Sequence, residues 1–250
     1  MQSQLTVVII TFNEERNIRR CIESVLPLNP RILVLDSFST DRTAEIAESM
    51  GATFTQHAFD GHIQQKNRAL AMAETEWVLS LDADEALDAT LVQSIQNAMQ
   101  STSVNGYSMN RLTNYCGHWV RHCGWYPDEK LRLVRRNTAQ WQGVNPHDRL
   151  VLLQGESKHL KGDILHYSYY TRADHLKQIE YFGAIAAQEL FQRGRRIHVL
   201  EIYLKVIAQF LKSYFIRLGL LDGIAGWHIS RLSAFATYRK YSILRRLHSS

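Results

Sequence analysis

Short apolar runs alternate with amphipathic segments over residues 1–100. The runs at 5–10, 32–36 and 77–82 are rich in Val, Ile and Leu and have the length of buried strands. The segment at 18–26 places apolar residues at helical spacing. Strands that alternate with helices predict right-handed βαβ crossovers and a parallel sheet. Residues 1–100 are therefore expected to form an α/β half of the molecule.

The limits of two helices can also be predicted. Asn13 is the expected N-cap of the first helix, and Pro27 and Pro30 end it because proline cannot continue a helix. The second helix is expected to end at Gly51. A third strand and helix are predicted between residues 53 and 74.

The run at 77–82 ends in three carboxylates within four residues, Asp82, Asp84 and Glu85. In open α/β sheets, ligands lie in the crevice at the carboxyl ends of the strands. Carboxylates this close repel one another, and a hard divalent cation such as Mg²⁺ or Mn²⁺ relieves the repulsion. The alternative is structural, in which these acids only precede the next helix and Asp88 is its N-cap.

Acids and hydroxyls also follow the other predicted strands. Thr11 and Glu14 follow the first strand, and Asp36 and Ser39 follow the second. Because parallel strands end at the same edge of a sheet, we expect these side chains to line one pocket. Carboxylates there can accept hydrogen bonds from a base edge and from ribose hydroxyls, while a cation holds phosphates. The G-x-G-x-x-G and G-x-x-x-x-G-K-[ST] motifs do not occur, which argues against a dinucleotide dehydrogenase and a P-loop NTPase.

Charge is distributed unevenly along the chain. The protein has 250 residues, of which 45% are hydrophobic, and a net charge of +5. Residues 191–250 hold eleven Lys and Arg against two acids, so the rest of the chain carries a net negative charge. A mildly acidic body joined to a basic tail predicts an anionic partner, either a membrane or a nucleic acid.

Cysteine usage and the first residues indicate the compartment. Cys21, Cys116 and Cys123 are odd in number and lack C-x-x-C spacing, which favours neither a disulfide framework nor a zinc site. The apolar stretch at 6–10 is too short for a signal peptide and is followed at once by polar residues. These features predict a cytoplasmic protein.

The basic tail predicts helices that lie on a membrane rather than cross it. Four charged residues interrupt the apolar segment at 197–221, so it cannot span a bilayer. Its apolar residues cover a broad helical face, and residues 219–226 supply a turn before a second arm. We expect residues 171–250 to form an interfacial helical region on anionic lipid. The alternative is that the whole apolar face packs on the rest of the protein or on a partner.

Four motifs in order carry a family resemblance. They are Val-Val-Ile-Ile-Thr-Phe-Asn-Glu at 7–14, Leu-Asp-Ser-Phe-Ser-Thr-Asp-Arg-Thr at 35–43, Gln-Lys-Asn at 65–67 and Asp-Ala-Asp at 82–84. This set resembles the family 2 inverting glycosyltransferases. The resemblance implies the GT-A fold, which is a Rossmann-like, mostly parallel sheet with flanking helices. It also implies a UDP-sugar donor and a divalent metal, Mg²⁺ or Mn²⁺.

Two later segments resemble a narrower subgroup. They are Gly-Trp-Tyr-Pro-Asp-Glu-Lys-Leu-Arg-Leu at 124–133 and Val-Asn-Pro-His-Asp at 144–148. Both are similar to the β-1,4-glucosyltransferases that add glucose to inner-core heptose of bacterial lipopolysaccharide or lipooligosaccharide. That subgroup usually has His-Glu where this chain has His147-Asp148, so the chain departs from it by one shortened acid.

The resemblance implies roles for individual residues. Asp36 is expected to accept a hydrogen bond from the uracil ring N–H, and Asp84 to ligate the metal that bridges the diphosphate. Asp82 is expected to contact the ribose or the metal, and His147 to complete the metal ligands or position the acceptor. Further nucleotide contacts are expected from Thr11, Phe12, Asn13, Glu14, Ser39, Lys66, Ala83 and Arg132. For Lys66, the alternative is a solvent-exposed helix cation.

An inverting transfer needs a base that takes the proton of the acceptor hydroxyl. Asp128 matches the family's acid at this position, and Glu129 is the second choice. Asp148 also stays open as the base. The structural alternative for Asp128 is a turn acid that pairs with Lys130 or Arg132.

Together these features predict a hexosyltransferase. We expect it to move a hexose, with glucose favoured, from a UDP-sugar to the heptose of a lipopolysaccharide core, at the cytoplasmic face of the inner membrane. Residues 101–170, rich in aromatics and hydrogen-bond donors, are the expected acceptor-binding half. Homo-oligomerisation stays open.

Other functions are compatible with parts of the pattern. Within the same class, the acceptor could be another lipid-linked molecule or a protein. In a different class, Asp82 would be the nucleophile of a Mg²⁺-dependent phosphohydrolase. A nucleic-acid-binding protein would leave the acidic crevice unexplained, so we expect no nucleic-acid partner.

Overall fold

The protein is represented by a computed structural model that describes residues 3–100, 104–144 and 147–249, without the side chains of Val144 and His147. It divides into two compact units. Unit 1 contains residues 1–111 and 128–167, and unit 2 contains residues 112–127 and 168–250. The separate roles expected for 1–100, 101–170 and 171–250 stay predictions.

The described chain is a mixed α/β structure. Its strands are β1 Leu5–Thr11, β2 Arg31–Asp36, β3 Thr53–Gln56, β4 Trp77–Asp82, β5 Glu85–Leu87, β6 Gly106–Tyr115, β7 His118–Trp119, β8 Glu129–Arg135, β9 Ala139–Val144, β10 His147–Leu152 and β11 Ser157–Tyr169. Its α-helices are α1 Ile18–Val25, α2 Thr43–Ser49, α3 His62–Ala71, α4 Ala89–Ala98, α5 Arg172–Gln192, α6 Val199–Leu211 and α7 Gly223–Leu247. The strands β6 and β11 begin in unit 1 and end in unit 2.

Four parallel strands form one side of the main sheet, in the order β3-β2-β1-β4. These are the strands that the apolar runs predict, and their buried residues form the core with α1 and α4. Thr11 lies opposite Asp36 in the ladder, and Ile10 lies opposite Asp82. The three predicted strand ends therefore meet at one edge of the sheet.

The remaining strands extend the sheet with antiparallel pairs. β8 pairs with both β4 and β6, and β11 pairs with β5. In the last pair, Ile164 lies opposite Leu87 and His166 lies opposite Glu85. This pairing brings residues late in the chain beside the carboxylates that follow β4. The strands β9 and β10 form a separate hairpin.

The first helix starts later than predicted. Asn17 is the N-cap of α1, and Asn13 lies outside the helix with a φ of 55°. Asn13 Oδ1 instead accepts a hydrogen bond from the backbone N–H of Thr40, at 2.8 Å. The prediction of Asn13 as the N-cap is therefore wrong, because its amide side chain joins two loops. Asp88 is the N-cap of α4 and accepts a hydrogen bond from Leu91 N.

Unit 2 contains a buried aromatic cluster. The ring centroids of Trp125 and His175 lie 5.9 Å and 5.4 Å from that of Tyr115, and Tyr169 contacts all three rings. Burial lowers the pKa of His175 to about 4 and raises the pKa of Tyr115 to about 12. Both side chains are therefore uncharged at neutral pH. Tyr115 and Trp125 belong to the aromatic-rich segment of the sequence, and here they serve as core.

The helix α6 exposes an apolar face. Ile202 is the α6 residue that is buried, and Leu200 on the other side of the helix is 70% exposed. The exposed apolar side chains share one side of the helix, and we call them the α6 apolar face: Leu200, Tyr203, Leu204, Ile207 and Leu211. None of the described helices is both long enough and apolar enough to cross a bilayer.

A close glycine contact shapes the turn between α6 and α7. This turn contains a π-helical segment at Lys212–Ile216 and a 3₁₀ segment at Gly219–Asp222. A Cβ atom on Gly226 would lie 1.8 Å from the carbonyl oxygen of Gly219, so the two backbones meet where a side chain cannot fit. The contact fixes how the turn packs on the first turns of α7.

We predict that Gly226→Ala destabilises unit 2. The added methyl group collides with backbone, which cannot move as a flexible side chain can, so the free energy of unfolding should fall by about 3 kcal/mol or more. Urea denaturation followed by tryptophan fluorescence measures the change.

Gly183→Ala in α5 is the matched control. A Cβ at Gly183 would lie 3.9 Å from its nearest described neighbours, Arg239 Cβ and Lys240 N, and alanine is the better helix former, so stability should rise by about 0.5–1 kcal/mol. Equal effects of the two substitutions would contradict the glycine contact.

Candidate active site

Eight charged side chains of unit 1 form one network in which acids and bases alternate. We call it the ion network, and in order of contact its members are Asp148, Lys66, Asp82, Arg132, Glu85, Arg111, Asp128 and Lys130. It contains four acids and four bases. The network therefore has no net formal charge, although it contains two of the three carboxylates that follow β4.

Lys66 lies between two acids. Its Nζ is 3.1 Å from Asp82 Oδ1 and 2.9 Å from Asp148 Oδ2, and its side chain is only 8% exposed. The ammonium also lies 4.3 Å from the ring centroid of Trp141, within the range of a cation–π contact. This burial excludes the alternative of a solvent-exposed helix cation.

The same cations set the charge state of Asp82. Burial alone would raise the pKa of Asp82, but the charges of Lys66 and Arg132 outweigh burial and hold the pKa well below its usual range. Asp82 is therefore ionised at all physiological pH values. Two bases, Lys66 and Arg132, already balance its charge. Asp82 therefore attracts a metal ion less strongly than the D-x-D pattern suggests.

Arg132 is the most deeply buried base of the network. Its Nη2 lies 2.8 Å from Glu85 Oε1 and 3.4 Å from Asp82 Oδ2, and its Nη1 donates to the carbonyl of Ser80. The side chain is 2% exposed. In this structure the guanidinium holds two carboxylates in place, and its contact with a diphosphate stays a prediction. Ala83 is also buried, so its side chain packs in the core.

Asp84 stands outside the ion network. Among the described residues it has no Lys or Arg partner, and its Oδ2 lies 3.1 Å from Nε2 of His166. The β5–β11 ladder creates this contact, since His166 lies opposite Glu85 and Tyr167 N donates to the carbonyl of Asp84. Burial would lower the pKa of His166, but the adjacent Asp84 carboxylate outweighs burial and raises it.

Asp84 and His166 fit a divalent cation. No group of three His, Cys, Asp or Glu side chains suited to a metal occurs in the described part of the chain. One or two carboxylates are sufficient where substrate phosphates complete the coordination, as is usual for Mg²⁺. Among the described residues, the Asp84 carboxylate has no Lys or Arg partner, and the buried Nδ1 of His166 has no hydrogen-bond partner. The predicted ligand His147 has its side chain outside the described residues.

His166 is the residue of this site that sequence reasoning missed. β11 contains two histidines, His159 and His166, and no motif surrounds either of them. The role of His166 follows only from the pairing of β11 with β5, which local periodicity does not predict.

The loops that follow β1 and β2 are joined by side-chain hydrogen bonds. Asn13 N donates to Ser39 Oγ at 2.8 Å, and Glu14 N donates to Thr43 Oγ1 at 2.8 Å. Ser39 in turn donates its backbone N–H and its hydroxyl to the carboxylate of Asp36. Asp36 also accepts from Gln56 Nε2 at 3.1 Å and is fully buried. Asp36 therefore orders the loop, and its contact with uracil stays a prediction.

Glu14 differs from the acids of the ion network. Burial, together with the charges of Asp84 and Asp41, raises its pKa to about 7, although a hydrogen bond from Asn17 opposes the shift. A nearby cation would favour the ionised form. The buried hydroxyl of Thr11 has no hydrogen-bond partner among the described residues.

Two aromatic side chains are exposed beside these loops. Phe12 follows β1 and Phe38 follows β2, and each exposes more than half of its surface. Phe38 has a φ of 63°, which is costly for a bulky side chain. Strain of this kind persists where a site requires it, so Phe38 is a second residue that the sequence analysis did not single out.

Two of the three candidate bases, Asp128 and Glu129, have different surroundings. Asp128 lies 2.9 Å from Arg111 and 2.8 Å from Lys130, as the structural alternative expects for Lys130 but not for Arg132. Arg111 also contacts Glu85, which connects Asp128 to the carboxylates after β4. Glu129 is more exposed, and a hydrogen bond from Ser108 lowers its pKa. The choice of base stays a prediction.

Similar proteins are found among bacterial glycosyltransferases. An uncharacterised glycosyltransferase of Rickettsia typhi is 28% identical over 98% of this chain and 87% of its own length. The lipopolysaccharide core biosynthesis glycosyltransferase LpsC of Rhizobium meliloti is 24% identical over 97% of this chain and 94% of its own length.

Solved structures share the fold. TarS of S. aureus, residues 1–349, matches with a TM-score of 0.50 at 14% identity and covers 98% of this chain and 91% of its own. The mannosyltransferase PcManGT of Pyrobaculum calidifontis matches with a TM-score of 0.51 at 15% identity, over 93% of this chain and 73% of its own. These matches confirm the GT-A fold. The family model for glycosyl transferase family 2 matches residues 6–149, and the chain therefore belongs to glycosyl transferase family 2.

Proposed function

We propose that this glycosyltransferase moves a hexose, with glucose favoured, from a UDP-sugar to the heptose of a lipopolysaccharide inner core with inversion. The observation that carries the proposal is the position of Asp84. It is the carboxylate after β4 that the ion network does not neutralise, and His166 lies beside it. LpsC, a lipopolysaccharide core biosynthesis glycosyltransferase, is similar along almost its whole length.

The donor site would be formed by the strand ends of unit 1. Asp84 and His166 would hold Mg²⁺ or Mn²⁺, and PcManGT was solved with GDP-Man and Mn²⁺. When bound, the cation stabilises the negative charge that develops on the departing diphosphate. Phe12 and Phe38 offer exposed aromatic faces to the base, beside the loop that Asp36 orders.

Asp128 is the proposed base. Its carboxylate is about one-third exposed, so an acceptor hydroxyl can reach it. Arg111 and Lys130 fix its position, and Arg111 shares its charge with Glu85. A carboxylate held in this way can take the proton of the hydroxyl as the new glycosidic bond forms and UDP leaves.

We also propose that the enzyme acts at the cytoplasmic face of the inner membrane. The α6 apolar face is exposed, although a helix of a water-soluble domain normally turns this face inward. Eleven basic residues and two acids lie in residues 191–250. An apolar face among basic residues favours an anionic lipid surface, where a lipid-linked acceptor is also found.

A UDP-release assay tests the proposed reaction. UDP-glucose, UDP-galactose and UDP-N-acetylglucosamine are each supplied with Mn²⁺, with or without heptose-terminated lipopolysaccharide. We expect the fastest release from UDP-glucose, and only with the acceptor present. If UDP is released fastest from another donor when the acceptor is present, the assignment of glucose is wrong. If UDP is released only with a different lipid or with a protein acceptor, the lipopolysaccharide assignment is refuted.

We predict that Asp84→Asn removes metal-dependent binding of UDP. The substitution keeps the size of the side chain but removes its negative charge, so the affinity for UDP in the presence of Mn²⁺ should fall at least about tenfold. Isothermal titration with and without Mn²⁺ measures it. Glu23→Gln, at an exposed acid of α1, is the control. Unchanged Mn²⁺ dependence in Asp84→Asn would remove Asp84 from the metal site.

We predict that Asp128→Asn separates donor binding from transfer. UDP affinity should stay within about twofold of the wild type, while kcat should fall by about 10²- to 10⁴-fold because the base is lost. Glu129→Gln is measured alongside it. If Glu129→Gln loses turnover and Asp128→Asn keeps it, Glu129 is the base; if Asp128→Asn loses UDP affinity, Asp128 belongs to the donor site.

A further inference from the structure

Unit 2 contains a cavity at the start of α7. Its volume is about 480 Å³, and none of the residues that line it is a predicted donor-site residue. Arg172, His118 and His228 supply its basic side chains, and Gly223 and Ile224 form the wall made by the first turn of α7. We call it the α7 cavity.

The main cation of the α7 cavity is Arg172. Within the described residues, Arg172 makes neither a salt bridge nor a side-chain hydrogen bond, although it begins a helix whose N-cap box is complete without it. Burial, followed by the charges of Arg172 and Arg231, lowers the pKa of His228. Arg172 is therefore a cation of the cavity lining that no described acid pairs with.

The one acid of the cavity does not neutralise Arg172. Asp222 is almost completely buried, and it accepts hydrogen bonds from His122 N at 2.8 Å and from His122 Nδ1 at 3.1 Å. Arg121 N also donates to it, at 3.3 Å, and His118 Nε2 lies 3.5 Å from it. Its carboxylate is thus committed to the loop at 118–122. Asp222 is also the N-cap residue of α7, and its side chain makes no capping hydrogen bond to that helix.

Exposed apolar side chains border the cavity. Leu221 and Ile224 line it and are also exposed, Ile224 by 76%. Trp227 lies one turn further along α7, is 41% exposed and contacts Phe210 and Tyr214. At a bilayer surface, phosphates lie next to acyl chains. A cationic pocket with apolar side chains and a tryptophan beside it has the same order of charged and apolar contacts.

We propose that the α7 cavity binds the phosphate headgroup of an anionic phospholipid, with Arg172 as its principal contact and Leu221 and Ile224 in the acyl region. This inference rests on the membrane association proposed above and gives it a specific site. Charge complementarity selects the occupant, because residues 191–250, which supply part of the cavity wall, are strongly basic in composition. An arginine fork can donate two hydrogen bonds to one phosphate.

The test is co-sedimentation of the full chain with vesicles of equimolar phosphatidylcholine and phosphatidylglycerol. Arg172→Gln should weaken binding about tenfold, the factor expected for one charge-assisted hydrogen bond. The substitution removes a positive charge from a helix N-terminus, so it should not unfold α5. Ile224→Asp places an acid in the first turn of α7, which the helix tolerates, and should abolish vesicle binding.

Arg196→Gln is the matched control. It removes the same charge from the loop that follows α5, a helix roughly 30 Å long that begins at Arg172, and should change binding by less than about twofold. Equal losses in Arg172→Gln and Arg196→Gln would show diffuse electrostatic attraction and overturn the site. Loss of inorganic phosphate binding in Arg172→Gln without loss of vesicle binding would also overturn it.

UDP titration of the wild type separates this inference from the proposed reaction. Vesicle binding that depends on Arg172, in a protein that does not bind UDP, would sustain the headgroup site and refute the reaction. UDP binding, together with vesicle binding that is unchanged in Arg172→Gln, would be consistent with the reaction and refute the headgroup site.

Discussion

The burial of Arg132 constrains the whole donor side of unit 1. A guanidinium that is 2% exposed costs several kcal/mol unless acids surround it, and Glu85 and Asp82 supply them. Those acids are then balanced in turn by Lys66 and Arg111. Each buried charge needs a neighbour of opposite sign. The network therefore extends to side chains that are partly exposed to solvent, such as Asp128 and Lys130. The positions of β4, β5 and β8 are thereby fixed relative to one another by charge as well as by backbone pairing.

This balance gives the D-x-D motif unequal members. Asp82 is ionised and lies between two bases, whereas Asp84 has a histidine neighbour and, among the described residues, no Lys or Arg partner. A divalent cation is attracted to net negative charge, so the two aspartates cannot be equivalent ligands. Burial raises the pKa of Glu14 to about 7, and the charge of Asp84 adds to that shift. The ion network therefore concentrates the available negative charge at one position of the strand edge.

Sequence reasoning predicts the parts of this site that depend on local pattern. The apolar runs predict the parallel strands, and their polar ends predict Thr11, Asp36 and Asp82 at one edge. It does not predict His166, because the β5–β11 register joins residues far apart in the chain. It also misplaces Asn13, whose side chain has the chemistry of an N-cap but bonds to Thr40 instead. Local propensity indicates which hydrogen bonds a side chain can make. Contacts between residues far apart in the chain determine which of them it does make.

In unit 2, sequence periodicity predicts a helix without predicting its orientation. The pattern of α6 predicts an amphipathic helix, but not which face turns inward. In the structure Ile202 is buried while Leu200 and Ile207 are exposed, so hydrophobic burial within the chain does not determine the orientation of α6. The Gly219–Gly226 contact imposes part of it, since the close backbone approach restricts how the two helices can pack. A rigid turn that holds an apolar face outward, among basic residues, is the arrangement expected where burial is completed by a surface outside the protein.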